Sequence, residues 1–272
     1  MTKYSTSPLQ LARTLFKHRE LIIELAKRDA VGKYKGSKLG VLWSLLTPIL
    51  MLVIYTFVFG EIFQARWSAG NSSRSEFAIV LFTGLIIFNL FAENITRAPG
   101  LILLNESYVK KIIFPLEILP CVNLLSSMFH MLVSASVLLI FQLILIGHIP
   151  LTVFFLPFIV LPFFLFCLGF SWLLSALGVF LRDIGQTIGI FVTGLMFLSP
   201  VFFPLSSVPV RWQKIAQFNP LVYPIEQARN VQIWGLVPDL SHWLIYAAMS
   251  CLAAWLGFVC FQKTRSGFAD VL

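Results

Sequence analysis

The side chains that could do chemistry are few and scattered along this 272-residue chain. Its four cysteines lie in or beside apolar runs without a C-x-x-C pair, and its four histidines form no metal-ligand motif. The carboxylates Glu61, Glu93, Glu117 and Asp183 lie near the ends of apolar runs, and only His130 lies well inside one. Since a lone histidine on an apolar helix usually forms a packed hydrogen bond, the sequence predicts no catalytic residue and no metal site.

Composition indicates an integral membrane protein. Hydrophobic residues make up 58% of the chain and charged residues only 12%, whereas soluble domains are nearer one quarter charged. From Ile118 to Leu181 there is no Asp, Glu, Lys or Arg, and a spanning helix needs about 20 apolar residues. The runs are continuously apolar rather than alternating, which favours helices over a closed barrel.

The runs predict an all-α fold with six transmembrane helices. We expect a cytoplasmic N-terminal region at 1–38, a membrane domain at 39–262 and a cytoplasmic tail at 263–272. The predicted spans are 39–59, 77–96, 118–146, 151–181, 184–203 and 240–261.

Two further segments are amphipathic or broken rather than spanning. Residues 8–31 carry charged and apolar side chains on separate faces at helical spacing, which predicts an interface helix on the membrane surface. Residues 205–240 are rich in proline and hold Trp212 and Trp234, which is typical of short interfacial or re-entrant helices.

The distribution of basic residues predicts the orientation. With the N-terminus inside, the inside segments hold 15 of the 20 Lys and Arg residues. This bias places both termini in the cytoplasm, and it explains most of the net charge of +8 without nucleic acid as a partner.

The chain offers no energy source of its own. It has no G-x-x-x-x-G-K-[ST] loop to bind nucleotide phosphates and no H-E-x-x-H or G-x-S-x-G motif. Ion-coupled transporters place ionisable groups deep in the membrane, and the predicted spans have almost none. If the chain transports a solute, we expect a separate ATPase to supply the energy.

Several short motifs resemble one family. Residues 33–43 read KYKGSKLGVLW and residues 55–60 read YTFVFG, with Pro48 between them. They resemble the Y-x-G-S-x-L-G-x-x-W … P … Y-x-x-V-F-G opening of type-2 ABC permeases that export bacterial polysaccharides such as O-antigen, capsule and teichoic acid. Agreeing segments follow in order at Arg182-Asp183, Ser199–Pro204, Asn219–Leu221 with Glu226 and Arg229, and Phe268–Asp270.

The resemblance implies partners and site residues. It implies a homodimer in the bacterial inner membrane, with two copies of a cytoplasmic ATPase that binds the ATP and Mg²⁺, so that this chain holds no cofactor. The cargo would be a lipid-linked polysaccharide. The implied ATPase-coupling residues, within 97–117 and after the fourth span, are Arg97, Asn105, Glu106, Tyr108, Lys110, Lys111, Arg182 and Asp183. The candidate channel and gate residues are Trp43, Tyr55, Phe59, Phe197, Ser199, Phe202, Phe203, Trp212, Asn219, Glu226 and Arg229.

Three other functions stay open at this point. An ABC permease of the same fold could move drugs or lipids, although the opening at 33–43 and the Asn219-Pro220-Leu221 element favour polysaccharide. A secondary transporter would use His130 for proton coupling. The third is a membrane transferase. Such enzymes often use a cluster of acidic residues to hold a metal-bound donor, and this sequence has no such cluster.

Overall fold

The computed structural model describes residues 6–62, 67, 74–110 and 114–272, which contain no β-strand. Helices account for most of the described backbone, as the apolar composition predicts. The α-helices, numbered along the chain, are α1 (Pro8–Lys17), α2 (Arg19–Gly32), α3 (Leu42–Tyr55), α4 (Arg74–Arg97), α5 (Glu106–Val109), α6 (Leu119–Ile146), α7 (Leu156–Phe180), α8 (Ile184–Leu198), α9 (Val210–Gln217), α10 (Val222–Arg229), α11 (Leu240–Thr264) and α12 (Phe268–Val271).

Five helical segments are long and apolar enough to cross a membrane. They are Leu42–Ile62, Glu76–Gly100, Leu116–Ile146, Leu151–Phe180 and Leu240–Val271. The first includes a π-helical continuation of α3 from Thr56 to Ile62. These segments confirm the all-helical membrane fold and fall within the first, second, third, fourth and sixth predicted spans or overlap them closely.

The fifth predicted span differs from the structure. We predicted 184–203, but α8 has 15 residues and ends at Leu198, where Ser199 is extended at φ −97° and ψ 152°. A helix of 15 residues is about 22 Å long, and the hydrocarbon core is about 30 Å thick. The helix stops because Pro200 and Pro204 cannot continue it, so a sixth complete crossing stays a prediction.

Helix α4 lies at the centre of the bundle. In its most apolar stretch 83% of the residues are buried, against 11–39% in the other four spans. It contacts α6, α7, α8 and α10. A helix that is apolar all round and buried all round is the expected core of such a bundle.

Helices α7 and α11 pack with their backbones in contact. A Cβ atom added at Gly257 would overlap the carbonyl oxygen of Gly169, and one added at Gly169 would overlap the backbone of Ala253. Small residues permit this approach between membrane helices. The pair holds the last span against the fourth.

The N-terminal region forms two helices instead of the single amphipathic helix that we predicted over 8–31. The chain breaks at His18, with φ −102° and ψ 17°. Helix α2 buries Ile22, Ala26 and Ala30, which share one face at a spacing of four, and it packs on α6. Helix α1, in contrast, has no buried residue. The two helices therefore differ in that only α2 buries residues in the bundle.

Candidate functional site

The two ends of the bundle are named here for reference. The basal end comprises α2, residues 97–110 and 114–118, and the turn at 181–183. The apical end comprises residues 199–239. Most of the predicted coupling residues lie at the basal end, and most of the predicted gate residues lie at the apical end.

An ion pair joins the interface helix to the centre of the bundle. Nη2 of Arg97, at the end of α4, lies 2.7 Å from Oδ1 of Asp29 in α2. Burial alone would raise the pKa of the Asp29 carboxyl. The hydrogen bond and the charge of Arg97, together with the charge of Lys33, outweigh burial and hold that pKa below its ordinary value of 3.8. Asp29 is therefore ionised, and α2 is anchored to α4, at neutral pH.

The segment after α4 continues this contact. The hydroxyl of Tyr108 accepts a hydrogen bond from Nη2 of Arg28 at 3.3 Å, and the Tyr108 ring stacks on Phe114 with ring centroids 4.2 Å apart. The amide of Asn105 donates to the Leu101 carbonyl at 2.8 Å, which stabilises the local turn. Two of the predicted coupling residues, Arg97 and Tyr108, thus lie against α2.

Charged side chains in α5 and after α7 face outwards. Glu106 and Lys110 form an exposed ion pair at i and i+4, whereas Lys111 lies outside the described residues. Arg182 and Asp183 are exposed in the turn between α7 and α8. Because a Cβ at Gly178 would overlap the Pro99 backbone, the end of α7 lies directly against the turn after α4. The structure thus brings both predicted coupling segments to one end.

A second buried ion pair closes the basal end and was not predicted. Nη1 of Arg265 lies 2.5 Å from Oε2 of Glu117, and Nη2 donates to the Phe114 carbonyl at 3.1 Å. The indole of Trp172 donates to the Glu117 carbonyl at 2.9 Å. These contacts tie the start of α6 to the end of α11. Residue spacing could not reveal this pair, because its two residues lie 148 positions apart.

Four of the predicted channel residues form a row of aromatic rings between α3 and the region after α8. The ring centroids of Tyr55 and Phe59 are 6.3 Å apart, those of Phe59 and Phe202 are 6.2 Å apart, and those of Phe202 and Phe197 are 5.9 Å apart. The Phe197 side chain is exposed, and the other three are half-buried. The row offers a continuous apolar strip at the surface of the subunit.

The predicted gate residues around the end of α8 form hydrogen bonds rather than a free surface. Ser199 is fully buried, and its Oγ accepts from the Asn219 amide at 2.9 Å. Oδ1 of Asn219 accepts from the Leu221 backbone at 3.0 Å, which shapes the turn before α10. Phe203 and Trp212 line an apolar groove of about 450 Å³ beside this turn.

Arg229 is completely buried, although it was predicted as a gate residue. Its Nε donates to the Val80 carbonyl at 3.0 Å, its Nη1 to the Pro200 carbonyl at 2.5 Å, and its Nη2 to the Val201 carbonyl at 2.8 Å. Glu226 lies 3.1 Å from Nη1. The guanidinium therefore donates to the Pro200 and Val201 carbonyls in the turn where α8 has stopped, and it joins this turn to the Val80 carbonyl of α4.

Trp43 lies apart from the other candidate channel residues. Its indole donates to Oγ of Ser37 at 2.9 Å, and 38% of the residue is exposed. This hydrogen bond fixes the turn between α2 and α3. Trp43 thus lies at the basal end, near the start of the first span.

A polar cluster lies in the basal half of the bundle. Lys33 forms an ion pair with Glu93, and Nδ1 of His130 lies 3.1 and 3.2 Å from the two Glu93 carboxylate oxygens. Nζ of Lys33 lies 3.4 Å from the same imidazole nitrogen. Residue spacing along the chain did not reveal this cluster, since its members come from three separate helical segments.

Known proteins with sequences similar to this chain match it over nearly its full length. The O-antigen export system permease protein RfbA of Klebsiella pneumoniae is 25% identical over 255 residues, covering 93% of this chain and 95% of its own. The protein of the same name from Myxococcus xanthus is 25% identical over 265 residues, covering 96% and 99%. The polysialic acid transport protein KpsM of Escherichia coli is 25% identical over 260 residues, covering 94% and 97%.

The family model gives the assignment. The model described as ABC-2 type transporter matches residues 20–233, which run from the start of α2 to the end of the helical segment after α10. The match therefore includes α2, the two predicted coupling segments and the apical turn. This multi-pass membrane chain belongs to the ABC-2 type transporter family.

Proposed function

We propose that this chain is the channel-forming permease subunit of an ATP-driven exporter of lipid-linked polysaccharide. The proposal rests on the relatives of this chain, which are O-antigen export and polysialic acid transport proteins. Each of them matches this chain over almost its whole length. An alignment that covers 97% or more of the length of two of these relatives leaves little of either protein without a counterpart here.

ATP hydrolysis takes place on a separate cytoplasmic ATPase, and two copies of that partner bind ATP and Mg²⁺. The basal end supports such docking, because it presents the exposed charges of Glu106, Lys110, Arg182 and Asp183. With this end in the cytoplasm, both chain termini lie on the cytoplasmic side of the inner membrane, in agreement with the excess of basic residues there.

Two copies of the chain form the channel. Large apolar side chains are exposed on α8 and on the π-helical continuation of α3, among them Ile190, Phe191 and Phe57. In a dimer these faces bury one another or face lipid. The aromatic row from Tyr55 to Phe197 lies along the same side. Aromatic faces contact the C–H groups of sugar rings weakly and repeatedly, which suits a chain that must slide.

Deleting the gene in its source bacterium tests the function. We expect surface polysaccharide to disappear and its lipid-linked precursor to accumulate in the cytoplasm, and the wild-type gene supplied on a plasmid should restore the surface. An unchanged surface would refute polysaccharide export. If drug or lipid efflux changed instead, the fold would belong to a permease for those cargoes.

A second measurement tests the source of energy. Export should stop when the partner ATPase carries a substitution that abolishes hydrolysis, and it should survive collapse of the proton gradient as long as ATP is maintained. The opposite pattern would favour proton coupling through His130, whose imidazole lies against Glu93.

A further inference from the structure

A polar pocket opens between α3, α4 and α6 in the basal half of the bundle. It has a volume of about 350 Å³, and its polar lining includes Lys33, Thr47, Asn89, Glu93, His130 and Ser134. Small-molecule sites commonly have volumes of roughly 300–1,000 Å³. From this pocket we infer that the permease binds a neutral sugar residue of its cargo within the bundle of a single subunit.

Helical spacing explains why the polar groups converge. Asn89 and Glu93 are four residues apart on α4, and His130 and Ser134 are four residues apart on α6, so each pair projects from one face of its helix. Thr47 adds a hydroxyl from α3. Ionisable and amide side chains are costly inside a membrane span, so such a concentration indicates function rather than packing.

The pocket retains hydrogen-bonding groups that the protein leaves unused. Asn89 is exposed although nearly every neighbour on α4 is buried, and within the described part of the chain its amide has no hydrogen-bond partner. The Nε2 atom of His130 is buried and likewise has no partner among the described residues. Its Nδ1 is occupied by Glu93. A polar molecule bound in the pocket would satisfy the Asn89 amide, whereas the Nε2 atom of His130 has no surface that a ligand atom could reach.

The lining fits a sugar better than an ion. The Lys33 ammonium is already paired with Glu93, so it offers little net attraction to a phosphate, and the Glu93 carboxylate would repel one. A cation would meet Lys33. Sugar hydroxyls both donate and accept hydrogen bonds, and they match a lining of carboxylate, amide, hydroxyl and imidazole groups. The pocket therefore suits a neutral, hydroxylated ligand.

This inference rests on the proposed function, because it takes the sugar to be part of the exported glycan. Photo-crosslinking in living source cells tests it without identifying that glycan. The photoreactive residue p-benzoylphenylalanine replaces Ser134, which lines the pocket, or Leu132 as the matched control. Leu132 lies two residues away on α6, and 49% of it is exposed on a different face.

After illumination, the chain labelled at position 134 should carry a glycan adduct, detected by carbohydrate staining and by mass. The chain labelled at 132 should carry none. Adducts with phospholipid only at 134, or equal glycan labelling at both positions, would overturn the inference. If gene deletion removes surface polysaccharide but no glycan adduct forms at 134, the inference fails and the proposed function stands.

A substitution tests the same site independently of the photoreactive residue. Asn89→Leu should slow the appearance of new surface glycan about two- to tenfold, as expected from one lost neutral hydrogen bond. Amounts of inserted chain and co-purifying ATPase should not change. The control Ser136→Ala removes a hydroxyl from α6 that only bonds the Leu132 carbonyl, and it should export normally. Unchanged export in Asn89→Leu would refute the site, and if this variant fails to accumulate, the crosslinking result decides.

Discussion

Replacing Arg229 with methionine should loosen the apical end of the bundle. Methionine fills a similar volume but donates no hydrogen bond. The variant would therefore leave the carbonyls of Val80, Pro200 and Val201 without the donors that the guanidinium supplies at 2.5–3.0 Å. It would also leave Glu226 without its cation. The turn after α8 would lose its attachment to α4.

The magnitude follows from the burial of this side chain. Arg229 has no exposed surface, and removal of one partner from a buried, hydrogen-bonded ion pair costs about 3–5 kcal/mol. The site has no room for a rearranged cation, because a Cβ atom at the facing Gly84 would already lie 2.5 Å from Nη2 of Arg229. Arg229→Lys should give an intermediate loss, since one ammonium cannot reach three carbonyls at once.

The assay is unfolding of the purified chain in mixed detergent micelles, followed by circular dichroism. We expect the free energy of unfolding to fall by about 3–5 kcal/mol in Arg229→Met. Arg211→Met is the matched control, because Arg211 is exposed on α9, and its effect should stay within about 0.5 kcal/mol. If the two variants unfolded alike, the hydrogen bonds of Arg229 would not hold the apical turn, and the reasoning would be wrong.

Three further predictions concern the basal end and the helix packing. Because the pKa of Asp29 is lowered in the fold, its ion pair stabilises the docking of α2 above the ordinary carboxyl pKa and loses that contribution as the pH falls through the lowered value. The hydrogen-exchange protection factors of α2, corrected for the intrinsic exchange rate at each pH, should therefore fall below about pH 4 more in wild type than in Asp29→Asn. Gly257→Ala should destabilise the chain by about 1–3 kcal/mol, because the added methyl group overlaps the α7 backbone. The control Gly189→Ala should not destabilise it, because a Cβ there meets no atom within 4 Å. Equal melting temperatures of the two variants would contradict the packing argument. Charge reversal by Arg182→Glu or Asp183→Lys should reduce export and ATPase association without affecting membrane insertion, and normal export would remove this turn from the docking surface.

Much of the fold could be read from local sequence. The length of each apolar run determines whether a helix can cross the membrane, and this property needs no knowledge of neighbours. The short motifs at 33–43, 182–183 and 199–204 likewise carried the family resemblance, because each is a contiguous segment. The end of α8 was misplaced because the run stays apolar through Phe203, although its prolines interrupt the helix.

The candidate site depended on tertiary structure. Lys33, Glu93 and His130 lie up to 97 positions apart, and each taken singly looks like an isolated polar residue near an apolar run. Arg229 likewise seems an ordinary loop cation until the fold buries it among carbonyls from α4 and the apical turn. Hydrophobicity is a local property that the sequence fixes residue by residue, whereas the partner of a buried polar group depends on which helices pack together. The sequence alone therefore determined the membrane class, the helices and the family, and only the packing of those helices decided which polar side chains meet.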